Sequence, residues 1–295
     1  MSIFEHLTSY AGLPVTDVAA GTSAPAASRA WRVRAPDAAA LTRLWDRFRA
    51  EADTAAVTAL IFGACGDDLH PASLLADAAA AFPELRAVFL GEIVEEERTI
   101  AWIDQTDITP VLAGLPRLER LDVRGTAGLA LEPVTSTSLR VLRVESAGLP
   151  GDVVRALGAS DLPNLESLNL WFGTGGYGGD ATVDDLAPVL AGDRLPRLTH
   201  LGLENATITD EIAAALATAP VVARLESLSL ALGTLTDAGA EALLAGQPLT
   251  HLRLLDLGHH FLSDETMERV AAALPAADLD GQEDPDDPVF IAIGE

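Results

Sequence analysis

Leu118-Glu-Arg-Leu121-Asp-Val123, Leu165-Glu-Ser-Leu168-Asn-Leu170, Leu198-Thr-His-Leu201-Gly-Leu203, Leu225-Glu-Ser-Leu228-Ser-Leu230 and Leu252-Arg-Leu-Leu255-Asp-Leu257 repeat one pattern. Each copy sets an apolar residue at positions one, four and six. Weaker copies centre on Leu60 to Phe62, Val88 to Leu90, Leu142 to Val144 and Ala277 to Leu279. The last apolar position falls at 62, 90, 123, 144, 170, 203, 230, 257 and 279, so neighbouring copies stand 21 to 33 residues apart. A period of about 20–29 residues with this leucine spacing is the signature of a leucine-rich repeat, here with two insertions. No such unit buries its apolar face alone, and stacking the units builds one continuous core.

Within a copy the final Leu-x-Leu alternates like a strand, sending one set of side chains inward and the next outward. Helical spacing follows, as in Leu74, Leu75, Ala78, Ala79 and Phe82, and again in Met267, Val270, Ala271 and Leu274. Thr209-Asp210-Glu211, Thr236-Asp237 and Ser263-Asp264-Glu265 stand where those helices begin. Their hydroxyls cap free N–H groups, and their acids suit the positive end of the helix dipole. The expected fold is α/β: a leucine-rich-repeat solenoid, horseshoe-shaped, with a parallel concave sheet of about nine strands and convex helices. A strand-then-helix repeat near 27 residues with a Thr/Ser-Asp cap resembles the ribonuclease-inhibitor type.

Residues 1–50 lack the pattern and read as an N-terminal capping region. Gly12-Leu-Pro-Val15 and Trp31-Arg-Val33 are strand-like there, and Leu41, Leu44, Trp45 and Phe48 share a helix face. Residues 51–280 form the solenoid. Residues 281–295 are an acidic tail, within a stretch from Asp278 to Pro288 that carries six acids and two prolines and reads as solvated and mobile. Val289-Phe-Ile-Ala-Ile293 is too apolar for a free tail and is a candidate capping strand over the last repeat.

Four stretches outside the generic pattern carry a further likeness: His6 to Val15; Phe89-Leu-Gly-Glu92 with Trp102 to Pro110; Trp171 to Asp180; and Leu249 to Leu252 with His259 to Leu262. Through them the chain resembles an uncharacterised family of bacterial leucine-rich-repeat proteins. That resemblance implies the fold and carries over no catalytic residue.

Nineteen basic and 44 acidic residues give a net charge of −25, which argues against nucleic acid as partner. Cys65 is the single cysteine, consistent with a reducing compartment. The opening Met1-Ser-Ile-Phe-Glu-His lacks a secretory pattern, and no apolar run approaches membrane-spanning length. A cytoplasmic, monomeric protein without membrane contact is expected.

Alternation turns Arg120, Asp122, Arg124, Val141, Arg143, Glu145, Ser167, Asn169, Trp171, His200, Gly202 and Glu204 toward the concavity. Ala87, Phe89 and Gly91 precede them, and Ser227, Ser229, Ala231, Leu254, Asp256 and Gly258 follow. The arginines read either as a basic spot that orients an acidic partner or as pairs with Asp122 and Glu145. Trp171 reads either as a recognition anchor or as packing beneath a loop. The candidate partner-binding set is Arg120, Asp122, Arg124, Arg143, Glu145, Trp171, Tyr177, His200, Glu204 and Asp256.

The insertion Phe172-Gly-Thr-Gly-Gly-Tyr-Gly-Gly-Asp180 reads as a flexible lip beside that face, with Tyr177 placed to touch a partner. Its alternative is a phosphate cradle, which its missing lysine and the acid at the helix entrance disfavour. The charged insertion Glu92 to Trp102 reads as a solvated loop. His259 and His260 point in different directions along the chain and read as structural rather than metal-ligating. No Gly-x-Ser-x-Gly, His-Glu-x-x-His or supported Cys/His arrangement is present. The function expected is a non-enzymatic protein-interaction scaffold with no cofactor; the alternative is a small-molecule or nucleotide sensor built on residues 172–180.

Overall fold

The computed structural model describes residues 3–66 and 70–294. Among them, twelve strands form one sheet in strict chain order. They are β1 (Ser9–Tyr10), β2 (Leu13–Asp17), β3 (Ala30–Val33), β4 (Ala59–Phe62), β5 (Ala87–Leu90), β6 (Arg120–Arg124), β7 (Val141–Glu145), β8 (Ser167–Gly173), β9 (His200–Ala206), β10 (Ser227–Ser229), β11 (Leu254–Asp256) and β12 (Ala277–Asp278). β1 and β2 are antiparallel, and every later pairing is parallel. Nine strands, β4 to β12, fall on the repeat copies. The other three come from the first 33 residues and extend the sheet beyond the expected nine.

Register follows from the repeat. Leu121 pairs with Leu142, Leu142 with Leu168, Leu168 with Leu201, Leu201 with Leu228, and Leu228 with Leu255. This ladder points away from the concave face into one core, where each of these leucines is at most 1% exposed. Burying one leucine fully contributes about 1.5–3 kcal/mol. A one-residue slip would turn a whole row to the wrong face, so the leucines fix the stacking.

Helices cover the other side of that core: α1 (Ala38–Glu51), α2 (Pro71–Asp77), α3 (Thr109–Gly114), α4 (Gly151–Ala159), α5 (Ala187–Ala191), α6 (Thr209–Leu216), α7 (Asp237–Ala245) and α8 (Asp264–Ala273). Between β6 and β7 the repeat is shortest and forms no helix; Leu129 and Leu131 fill the core there. Toward the N-terminus the core turns aromatic. Trp45 stacks on Phe82 at 5.3 Å and packs against Phe48 and Phe62, with Trp31 beside Phe48.

The Thr/Ser-Asp motifs act across repeats as well as within them. Thr236 accepts from the Ala238 N–H, and Ser263 from that of Thr266. Each acid then reaches one repeat on. Asp210 accepts from the Thr236 N–H at 2.9 Å and its hydroxyl at 2.5 Å, and Asp237 accepts from the Ser263 N–H and hydroxyl, both at 2.8 Å. The motifs recur every 27 residues, so these bonds form a rung between successive helices.

Both ends fold back. The acidic stretch after Asp278 is not free, as its composition suggested. Asp278 lies in β12, the backbone oxygens of Asp280 and Gly281 accept from His259 and His260, and the Glu283 N–H donates to His260. The apolar segment that follows runs back past the last repeat without strand pairing. His259 Nε2 meets the Phe290 carbonyl at 3.0 Å, and Ala292 N–H donates to Leu232. Asn205, in the left-handed region at φ 52°, clasps Ile293 by both its N–H and its carbonyl. Asparagine tolerates that backbone because its short polar side chain bonds locally.

Candidate functional site

The concave face is divided. On β3 to β5 its row is Ala30, Arg32, Ala59, Ile61, Ala87 and Phe89; the five apolar members are each at most 2% exposed and Arg32 is 9% exposed. The cover is the chain's own N-terminal segment: Leu7, Tyr10, Leu13 and Val15 pack on this row, with Tyr10 at 6.1 Å from Phe89. Ala87 and Phe89, expected on an open surface, therefore lie in a second small core. The segment is pinned by charge as well. Glu92, 2% exposed, accepts from the Leu7 N–H and faces His6 at 3.1 Å and Arg32 at 3.4 Å. The loop from Glu92 to Trp102 is thus only partly solvated; Ile93, Val94, Ile100 and Ala101 are buried as well.

Next along the sheet lie the three inward arginines. Arg120 pairs with Asp122 at 2.6 Å and lies over the Tyr10 ring. Arg124 is 2% exposed, pairs with Glu145 at 2.6 Å, donates to the Ile93 carbonyl and stacks on Phe89. Arg143 meets the other Glu145 oxygen at 2.6 Å, off the hydrogen-bond axis, and lies over Trp171. No open basic spot results: the three arginines share two carboxylates, Arg124 and Arg143 both meeting Glu145, each lies over an aromatic ring, and Arg124 is inaccessible. Tyr10 donates its hydroxyl to Asp122 at 2.8 Å. Burial, reinforced by the Asp122 charge, pushes its phenol well above the ordinary range, so it stays protonated.

Beyond the arginines the face opens. A cleft of about 480 Å³ is lined by Arg143, Asn169, Trp171, His200, Glu204 and Asp256 from β7, β8, β9 and β11. Ile3 and Phe4 from the N-terminal segment, Ala231 and Leu232 after β10, and Ile293 from the C-terminal segment complete its walls. Both ends of the chain thus meet over one stretch of sheet. Trp171 is 2% exposed and donates its indole N–H to Glu204 Oε2 at 2.7 Å. Its edge packs with Ile3, Ile100 and Ala147, so it is both packing and cleft wall. His200 Nδ1 lies 2.7 Å from the Ser227 hydroxyl. Burial lowers its pKa, Glu204 and Asp256 oppose this, and Arg143 adds to it, leaving a net fall from 6.5. Asp256 moves the other way: burial raises it, and Glu204 and Asp278 add to that.

Of the ten candidate residues, Arg143, Trp171, His200, Glu204 and Asp256 come together in this cleft. Arg120, Asp122, Arg124 and Glu145 form the buried charge network beside it, and half-buried Tyr177 packs against the Trp171 cluster. Asn169 and the terminal walls are additions. A row of apolar residues at inward positions, Ala59, Ile61, Ala87 and Phe89, was the signal that part of the face is covered.

The glycine-rich stretch is a tight structural turn. Gly173 has φ 66°, and a Cβ there would lie 1.8 Å from the Ala147 carbonyl, so the close strand approach requires glycine. The N–H groups of Thr174, Tyr177, Gly178 and Gly179 donate to Ala147, Thr174 and Gly175 within the protein, so these four donors are spent on the turn itself. Asp180 accepts from the Gly151 N–H at 2.7 Å and so caps α4 of the preceding repeat, not the helix that follows it. His260 is fully buried and faces the Leu279 carbonyl, while His259 faces Glu283. Among the described residues no group of three or more His, Cys, Asp or Glu could hold a metal ion. No helix among them is long and apolar enough to cross a membrane.

The architecture is shared with a bacterial protein of known structure. A Bacteroides fragilis protein, solved by structural genomics, matches with a TM-score of 0.78 at 29% identity, covering 85% of this chain and 73% of that one. An internalin from Listeria monocytogenes matches only loosely, with a TM-score of 0.35 at 17% identity over 77% of this chain and 55% of its own. No protein-family model matches the chain, and no curated protein does.

Proposed function

We propose that this protein is a non-enzymatic interaction module that takes a protein partner on the open half of its concave face, over β7 to β11. The observation that carries this reading is the cleft between the two terminal segments. Its walls join an aromatic ring, apolar side chains from both termini and a few convergent polar groups, the composition expected of a recognition pocket. Beside it, Leu254 on β11 is 42% exposed and Phe4 is 63% exposed, giving apolar contact area at the rim. The covered half, over β3 to β5, supplies a rigid base and not a contact surface.

The test is capture of a partner from the source cell by the purified full chain, with two variants alongside. Leu254→Asp places a charge on the open face without entering the core, and Asp193→Lys alters an exposed turn leading into β9. A protein retained by Asp193→Lys and lost by Leu254→Asp, with both variants melting like the parent, supports the reading. A partner retained equally by both variants sinks it.

A further inference from the structure

The cleft sets two carboxylates against a single arginine. Glu204 is 8% exposed and Asp256 half-buried, and neither has an ion-pair partner there. Glu204 receives only the Trp171 indole N–H, and Asp256 the Gly258 N–H at 3.0 Å. The one arginine in the lining, Arg143, is already against Glu145. His200 adds no counter-charge at neutral pH, because burial lowers its pKa. Desolvating carboxylates without a cation is unfavourable, and a ligand cation placed between them removes that cost. A second observation points the same way. Asn169, 6% exposed, lines the cleft, and its Oδ1 is buried without a hydrogen-bond partner. It is a further acceptor awaiting a donor, since buried polar atoms are nearly always satisfied.

We infer that the cleft is a subsite for an arginine side chain of the protein partner, with Glu204 and Asp256 receiving the guanidinium and Asn169 completing the acceptor set. Arginine fits better than lysine here. Its planar fork of five donors can serve carboxylates on two strands, and its face can stack on an exposed aromatic wall such as Phe4. Trp171, 2% exposed and with Arg143 already 5.7 Å over its ring, is a wall of the subsite and not its stacking partner. The net charge of −25 draws a basic partner toward the face before contact. The occupant belongs to the partner proposed above, so this assignment rests on that reading but is tested apart from it.

The experiment is an amide and indole NMR titration of the full chain. Four tryptophans give four indole signals, and that of Trp171 sits on Glu204 itself. Acetyl-arginine N-methylamide should shift the Trp171 signal saturably and leave those of core Trp31 and Trp45 in place. Acetyl-citrulline N-methylamide, the neutral isostere, should bind about tenfold more weakly or not at all. Asp256→Asn, which keeps shape and fold, should weaken the arginine titration, and adding Glu204→Gln should abolish it. Equal binding of citrulline, or a titration untouched by the double variant, overturns the inference. So does agmatine binding where the arginine amide does not, which would make the site one for a free small amine. Loss of partner capture in Leu254→Asp with no arginine titration leaves the protein-binding reading standing and removes the subsite. An arginine titration with no partner captured does the reverse.

Discussion

Strands β3 to β5 and strands β7 to β11 share one sheet and one register, yet their inward rows are opposite in character. The first row is Ala30, Arg32, Ala59, Ile61, Ala87 and Phe89, its apolar members sealed beneath Leu7 and Tyr10. The second mixes polar Arg143, Asn169, His200, Glu204, Ser227, Ser229 and Asp256 with Trp171 and Leu254, around a cleft. The cores beneath differ too, aromatic under the first and leucine-rich under the second. A repeat therefore specifies where the backbone goes without specifying what each face meets. The inward residues decide that: a mainly apolar row is sealed by the chain's own N-terminal segment, and a mixed, mainly polar row is only walled at its edges and keeps a cleft.

The largest test of this contrast is Phe89→Ala against Leu254→Ala. If the first half is a true second core, removing Phe89 costs about 3–5 kcal/mol. Leu254, 42% exposed, should cost within about 0.5 kcal/mol as an ordinary surface substitution. Guanidinium unfolding measures both. Equal costs would mean that the N-terminal segment covers the face without packing on it.

Next comes the seam between the halves. Arg124→Met leaves Glu145 with Arg143 alone and should cost about 3 kcal/mol, the lower end for breaking a buried pair. Arg143→Met, at the cleft edge, should cost about 1 kcal/mol. A smaller effect at Arg124 than at Arg143 would move the boundary of the covered region.

Much of this arrangement was legible in the residues. The five strong copies place the leucine ladder, and the Thr/Ser-Asp motifs place helix starts. Five of the ten candidate residues, all five chosen by strand alternation, gather in one cleft because alternation is a local rule. What alternation cannot show is whether another segment lies over a face. Arg124 points inward as expected but is inaccessible, because Glu145, Ile93 and Phe89 surround it. Those contacts join residues 21 to 35 positions apart, and the Asn205 grip on Ile293 spans 88. Asp180 misled for a related reason: its partner is Gly151, in the repeat before it.

A smaller effect is expected from the rungs between helices. Burial pushes the Asp237 carboxyl up, but the N–H and hydroxyl of Ser263 outweigh it and hold the group below 3.8. A depressed folded value means that its contribution is complete above the unfolded pKa and is lost as pH falls through the folded one. Asp237→Ala should cost about 1 kcal/mol at neutral pH. The difference from the parent should shrink below about pH 4 in acid-unfolding curves. A difference constant with pH would mean that the rung does not depend on the carboxylate charge.

The smallest effect, and the one that reports most directly on the open half, is the titration of His200. Its pKa is lowered from 6.5 chiefly by burial, with Glu204 raising it and Arg143 lowering it. The stability contributed by the neutral imidazole is therefore present above the unfolded pKa and is lost as pH falls through the lower folded value. An NMR titration should place the His200 midpoint below 6.5. Glu204→Gln removes a raising influence, so the midpoint should fall further. If the parent's midpoint lies above 6.5 instead, the ring is protonated beside Glu204, the cleft supplies its own counter-charge, and the contrast between a sealed apolar half and an acidic half no longer holds.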